Sequence, residues 1–431
     1  MTVHRKRFFI ETYGCALNQA DSAMMRKQLF DSGYIEADNP IDADVIILNT
    51  CTVKQATESK IFENFKRYSK LNKPIVIAGC LYRRHERFLS INPNISIISP
   101  GSLRMIVRAV ESSISGRNYF DVRPFDKHLP MTFTGPVVTI PISEGCLGSC
   151  TFCETRLSRG RLRSKRPEYL RSLVTEAVEN KAVEVRLTAQ DTGCYGIDIG
   201  TSLTDLLHSL LEIEGDFMIR LGMINPEHAY RMLDDLIEIY TDKKMFKFLH
   251  IPVQSGSDKV LKDMNRRYSV DTFVTVVERF RQKFPDMTIS TDIIIGYPTE
   301  SEEDFRKTVD LIKRMRFEIL NISRFTPRPG TPAVKLKPLD NKVVKQRVVD
   351  VSNLHRVQSL KLNKQFINRE LDILMTGRND TKGTYIGRTR WYKKVAVPYD
   401  RMDIDPVGRW IRVKIMSATE SVLIGEPVKF E

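Results

Sequence analysis

The chain has 431 residues, 42% of them hydrophobic, and a formal net charge of +14. That length fits about three domains, and the apolar share is enough for ordinary soluble cores. No apolar run approaches the roughly 20 residues that span a bilayer, and Phe8-Phe9-Ile10 behind the basic N-terminus is too short for a signal-peptide core, so a cytoplasmic protein is expected. There, cysteines are metal ligands or catalysts more often than disulfides.

In the first third, residues 8–13, 44–50 and 74–79 read as strands, each leading directly to a cysteine: Cys15, Cys51 and Cys80. Helical patterns lie between them. One, carrying Met25, Leu29 and Phe30, is expected to be capped by Asp21 and stopped at Gly33; another covers about 59–71. This alternation predicts a parallel sheet in a domain spanning 1–118. The three cysteines then fall beyond the carboxyl ends of the strands, where open α/β sheets hold their ligands. A lone cysteine is commonly a small buried hydrophobe, but three at one edge argue against that reading.

From residue 137 to about 360 the alternation repeats, with strands expected at 137–143, 184–190, 218–224, 246–254, 287–296 and 318–325. Helices include 167–180, where Pro167 suits the first turn, and 302–315. Six βα units predict a partial (βα)6 barrel with its functional residues at the strands' carboxyl ends. The run Cys146-x3-Cys150-x2-Cys153 follows the first strand, and Gly145, Gly148 and Ser149 keep its loop free of bulk. Structural zinc would want a fourth Cys or His at matching spacing, and none is present. A cubane iron-sulfur cluster takes one thiolate per iron, so each set of three cysteines would leave one iron open.

Gln190, Asp191, Asn225, His250, Gln254 and Asp292 fall at or just past strand ends and are candidates for cofactor contact, with Arg159. Each has a plainer reading. Gln190 and Asn225 can be caps or turn formers, His250 a satisfied core histidine, Asp292 the partner of an arginine, and Arg159 and Arg163 solvated cations. Cys194 has no partner in spacing and reads as a spare thiol.

After a basic helical stretch at 343–366, short strands at 370–376, 383–387, 394–398 and 410–415 predict a small β-barrel within 361–431. Basic residues cluster from Arg156 to Arg171, and again at Arg388, Arg390, Lys393 and Lys394 among Tyr385, Trp391 and Tyr392. Charges beside aromatics suit a nucleic acid, the alternatives being a solvated basic face or an acidic protein partner.

The cysteine run with Phe152 before Cys153 resembles the signature of radical S-adenosylmethionine (SAM) enzymes. Adding Cys15, Cys51 and Cys80 narrows the resemblance to the methylthiotransferases. Further matching blocks are Ser158-Arg159-Gly160, Thr188-Ala-Gln190-Asp191, His250-Ile-Pro-Val-Gln254, Met264-Asn-Arg-Arg267-Tyr268, Asp292-Ile-Ile-Ile-Gly296 and Arg328-Pro329-Gly330-Thr331. The C-terminal segment resembles the TRAM domain, which implies Arg390, Trp391, Tyr392 and Lys393 as RNA contacts, the alternative being barrel packing. The resemblance implies two 4Fe-4S clusters, one on each triad, with S-adenosyl-L-methionine on the Cys146-Cys150-Cys153 cluster. It also implies a tRNA substrate, an electron donor and a sulfur source. With no proline between Cys153 and Arg159-Gly160, the chain is closer to the archaeal and eukaryotic branch acting on threonylcarbamoyladenosine in tRNA. The branches acting on isopentenyladenosine or on a ribosomal-protein aspartate usually have that proline. A non-catalytic iron-sulfur RNA-binding protein is the reading from another class, and the presence of both triads and the strand-end blocks argues against it.

Overall fold

The computed structural model describes residues 5–123, 129–402 and 404–428. Its N-terminal part is a parallel sheet of β1 (Arg7–Thr12), β2 (Ile35–Glu36), β3 (Val45–Thr50), β4 (Ile75–Gly79), β5 (Ile95–Ile98) and β6 (Phe120–Asp121), in the order β2-β1-β3-β4-β5-β6. Helices α1 (Ala16–Asp31), α2 (Gln55–Ser69), α3 (His85–Leu89) and α4 (Ile106–Ile114) supply the crossovers. Val45 to Leu48 and Ile75 to Ala78 are buried on both faces of the sheet, so they read as unbroken apolar runs. The short strands β2, β5 and β6 were not expected from the sequence, being too brief to carry a period. Asp21 does not cap α1. It lies buried inside the helix, whose N-cap is Cys15, because its carboxylate is committed to an ion pair described below.

The central part starts with β7 (Val137–Pro141) and a small antiparallel pair, β8 (Ser143–Glu144) with β9 (Arg163–Ser164), around α5 (Thr155–Arg159). It continues through β10 (Glu184–Thr188), β11 (Met218–Leu221), β12 (Phe248–His250), β13 (Thr288–Ile295) and β14 (Ile319–Arg324). The intervening helices are α6 (Pro167–Glu179), α7 (Leu203–Leu211), α8 (Pro226–Arg231), α9 (Leu233–Ile239), α10 (Asp258–Asp263), α11 (Val270–Lys283) and α12 (Glu302–Met315). Parallel sheets β7-β10-β11 and β12-β13-β14 are joined by the bridges Ile219–Met245 and Met223–His250 into one open curve, the expected partial barrel. Helix α12 shows why these helices form: a Ser301/Asp304 capping box opens it, and Phe305, Leu311, Ile312 and Met315 bury one face.

Helix α1 packs on β7, and one apolar cluster runs from Phe8, Met25 and Val76 through Ile140 to Ile293. The N-terminal sheet and the barrel therefore share a core.

Helix α13 (Asn341–Lys364) leads to a closed barrel of β15 (Glu370–Asn379), β16 (Thr384–Thr389), β17 (Lys394–Pro398), β18 (Trp410–Ala418) and β19 (Leu423–Pro427), in the order β15-β16-β17-β19-β18. It docks where β10 begins. The Tyr392 hydroxyl donates to Glu184 Oε1 at 2.6 Å, and its ring lies 4.9 Å from that of Phe246 and 4.8 Å from that of Phe248. Tyr392 and Lys393, implied above as RNA contacts, are only 6% and 7% exposed. Tyr392 fills the apolar domain junction, and Lys393 lies with its ammonium 5.5 Å from the Phe366 ring centre. Among the described residues, no helix is long and apolar enough to cross a membrane.

Candidate active site

Strands β1, β3 and β4 are neighbours in the sheet, so Cys15, Cys51 and Cys80 emerge at adjacent carboxyl ends. The strand ends are tied together: Asn18 Nδ2 donates to the Thr50 carbonyl at 2.7 Å, and the Leu81 amide donates to Thr50 Oγ1 at 3.0 Å. Gly14 closes the first loop onto the second. Its φ is +95°, and a Cβ there would lie 2.4 Å from Cys51 Sγ, so a side chain would fill the space the sulfur occupies. Cys51 and Cys80 are buried, which pushes both thiols up; beside Cys80 the Arg159 guanidinium works against that rise.

The compact triad sits on a loop clamped at its base by the β8–β9 pair, where Glu144 faces Arg163. Its outer side is fastened to the segment after α10. Asn265 Nδ2 donates to Ser149 Oγ at 2.7 Å, the Thr151 amide donates to the Met264 carbonyl at 3.1 Å, and the Arg266 guanidinium lies 5.6 Å from the Phe152 ring centre. A Cβ on Gly148 would stand 3.3 Å from Cys146 Sγ and 3.7 Å from Cys150 Sγ, crowding the space the two sulfurs face.

Cys194 is not isolated, as its spacing implied. The turn after β10 buries it beside the loop, where its thiol donates to the Asp191 carbonyl at 3.1 Å. The neighbouring Cys194 thiol draws the Cys146 thiol below the ordinary cysteine value. That contact joins neighbouring strands and is invisible in sequence spacing.

Among the described residues, no three His, Cys, Asp or Glu side chains close on a single metal ion. A cubane spreads its ligands, one thiolate to each iron, and three thiols at each mouth fit that demand. A second observation concerns the barrel mouth. Both polar atoms of the Gln190 amide and Nε of Arg266 are buried without a partner, whereas buried polar groups are normally paired.

The other candidates fall into two groups. Asp191 accepts from the Gly193 amide at 3.0 Å and the Asn225 amide at 3.1 Å, and its second oxygen lies 2.9 Å from His228 Nδ1. The Asn225 side chain caps α8, accepting from the Glu227 amide. Across the barrel, Asp292 on β13 lies between its neighbours, 3.1 Å from His250 Nε2 and accepting from Asn321 Nδ2 at 2.7 Å. Burial pushes the Asp292 carboxyl up, but the bonds from His250 and Asn321 outweigh it and hold it below the usual carboxylate range. Gln254 bonds through its backbone, its amide donating to the Asp292 carbonyl at 2.8 Å, with a φ of +72° that non-glycine residues rarely adopt. Asn265, Arg266, His228 and Asn321 were not singled out in the sequence. Asn265 and Arg266 stand inside a matched block, whereas Asn321 is revealed only by its strand register opposite Asp292.

Arg159 belongs to neither group. Helix α5, which follows Cys153, carries it to the N-terminal triad. There Ser158 Oγ donates to the Cys80 carbonyl at 3.1 Å and Arg159 Nε to Cys80 Sγ at 3.2 Å. Nη1 donates to Glu144 at 2.5 Å, and Nη2 to Asp21 at 2.6 Å and Asn18 at 3.0 Å. The helix that follows the compact triad is thus fastened to the N-terminal triad at Cys80.

Family comparisons agree with this arrangement. Residues 7–99 match the Uncharacterized protein family UPF0004, residues 140–312 the Radical SAM superfamily, and residues 364–428 the TRAM domain. Radical SAM membership implies a 4Fe-4S cluster and S-adenosylmethionine, and a TRAM domain together with tRNA-modifying relatives implies a tRNA substrate. The fold is similar to that of a radical S-adenosylmethionine methyltransferase, TsrM, from Kitasatospora setae. The TM-score is 0.56 at 10% identity, over 76% of this chain and 77% of that one. The "Probable threonylcarbamoyladenosine tRNA methylthiotransferase" of Archaeoglobus fulgidus is 43% identical over 97% of this chain and 98% of its own length. The "Threonylcarbamoyladenosine tRNA methylthiotransferase" of Xenopus laevis is 36% identical over 98% and 77%, and that of Homo sapiens 35% over 98% and 74%. With likeness at that level along nearly its whole length, and both cysteine triads in position, the chain belongs to the radical S-adenosylmethionine family of threonylcarbamoyladenosine tRNA methylthiotransferases.

Proposed function

We propose that the chain transfers a methylthio group to carbon 2 of N6-threonylcarbamoyladenosine beside the anticodon of tRNA. The observation that supports this reading is the contact of Arg159 and Ser158 with Cys80, which fastens the helix following one set of three cysteines to a member of the other. When bound, a 4Fe-4S cluster with S-adenosylmethionine at Cys146, Cys150 and Cys153 supplies a carbon radical that removes hydrogen from an unactivated carbon, and a second 4Fe-4S cluster at Cys15, Cys51 and Cys80 supplies a sulfur carrier.

The chain's own residues hold and enclose that chemistry. The unpartnered Gln190 amide offers a donor and an acceptor to the nucleoside or amino-acid part of S-adenosylmethionine. Asp292, fixed between His250 and Asn321, offers a second acceptor from the opposite strands. Asp191 and Asn225 act as positioning residues, since their hydrogen bonds hold the turn that follows Gln190. Gln254 shapes the rim through its backbone. Lys54, shortly after Cys51, adds a smaller charge contribution that helps keep Asp292 ionised. The exposed Arg161 lies beside the cysteine loop and, with the exposed Arg166 further along, suits tRNA phosphates. Electrons and sulfur come from outside the chain, in the cytoplasm.

Iron analysis after anaerobic reconstitution tests the cofactor part of the proposal. About eight irons per chain are expected, and about four would remove the sulfur carrier. A reduced protein that released no 5′-deoxyadenosine from S-adenosylmethionine would overturn the radical reading.

A further inference from the structure

We propose that Arg159 is a positioning residue for the cluster at the N-terminal triad: its Nε–H···Sγ bond to Cys80, formed only when the barrel is docked, raises that cluster's reduction potential. The inference rests on the two-cluster reading above and adds the residue that links the second cluster to the first domain of chemistry.

The Arg159 side chain is fully buried, and its donors are held from three sides. Glu144, on its own side of the interface, takes Nη1; Asp21 and Asn18, on the other side, take Nη2. A guanidinium is a rigid planar fork, so fixing both terminal nitrogens fixes the direction of Nε–H as well. That direction ends on Cys80 Sγ at 3.2 Å.

The surroundings show what Arg159 delivers. Lys165 is completely buried nearby, so Asp21 and Glu144 are matched in number by Arg159 and Lys165. What reaches the sulfur is the charge of Arg159 together with a directed hydrogen bond, and such bonds to ligating sulfurs are among the features that set iron-sulfur potentials. A donor favours the reduced, more negative cluster, so losing it lowers the potential. Arg159 also ties this bond to domain docking, because Cys80 and Asp21 lie on one side of the interface and Glu144 on the other.

The test uses the full-length chain with one triad replaced by alanine at a time, so that each cluster is titrated alone by electron paramagnetic resonance. In the Cys146→Ala, Cys150→Ala, Cys153→Ala background, Arg159→Met is expected to move the remaining midpoint to a more negative value. Arg159→Lys, which keeps a donor on a flexible stem, is expected to fall between Met and the parent. In the Cys15→Ala, Cys51→Ala, Cys80→Ala background, the midpoint is expected to stay in place. If Arg159→Met fails to retain its cluster, the Arg159→Lys midpoint decides. Equal midpoints for Arg159 and its variants, or equal shifts in both backgrounds, would overturn the role of Arg159 while leaving the two-cluster reading intact. A parent chain that holds about four irons instead of eight would overturn both.

Discussion

Arg328 of the barrel donates Nη1–H to Glu58 on α2 at 2.8 Å, the two side chains being 6% and 5% exposed. This ion pair and the Arg159–Asp21 pair cross the same interface at separate points. Arg328→Ala would leave Glu58 buried with only the longer contacts to Arg84 and Arg87, both 3.7 Å. Breaking a buried pair on one side costs roughly 3–5 kcal/mol. Calorimetry of the variant should show the first transition falling in temperature. An unchanged thermogram would mean that the interface does not depend on the pair.

Tyr392→Phe should weaken the docking of the C-terminal barrel without weakening tRNA binding. The hydroxyl bond to Glu184 is lost, while the ring keeps its place against Phe246 and Phe248. A loss of about 1–3 kcal/mol is expected in urea unfolding. A marked fall in tRNA affinity, with stability unchanged, would restore Tyr392 as an RNA contact.

These two residues also show how far the sequence could be read. The triads, the six barrel strands and the closing β-barrel were legible because apolar runs ending in cysteine or polar residues carry their own period and position. Direction of contact was not legible. Tyr392 sits among basic residues that suit RNA, yet its ring is needed to fill a domain junction. Asp21 has the chemistry of a helix cap, yet it serves a buried arginine that comes from far along the chain. Cys194 and Asn321 gain their partners from strand order and register, which spacing along one chain does not encode.

His228 sets a pH dependence on the fold around Asp191. Burial draws its proton affinity down, but the hydrogen bond and charge of Asp191 outweigh that and raise it above the ordinary histidine value. A raised folded-state value contributes stability that is complete below the unfolded value of about 6.5 and fades as pH rises through the folded value. The melting-temperature gap between the parent chain and His228→Gln should therefore be wider at about pH 6 than at about pH 8.5. A gap independent of pH would show that the imidazole binds Asp191 only in its neutral form.

The two triads should separate under mutation. Cys15→Ala is expected to abolish methylthiolation while leaving some release of 5′-deoxyadenosine, because the compact triad is intact. Cys150→Ala is expected to abolish both. Chromatography of the small-molecule products together with the tRNA nucleosides checks the split, and a methylthiolated product from Cys15→Ala would remove the N-terminal triad from sulfur transfer.

The central claim joins both triads in one reaction on one nucleoside. Its most direct test is nucleoside mass spectrometry of tRNA bearing threonylcarbamoyladenosine, after incubation with the reconstituted, reduced chain, S-adenosylmethionine and sulfide. The expected result is the methylthio derivative of that nucleoside, formed together with 5′-deoxyadenosine. Unchanged threonylcarbamoyladenosine beside abundant 5′-deoxyadenosine would contradict the account.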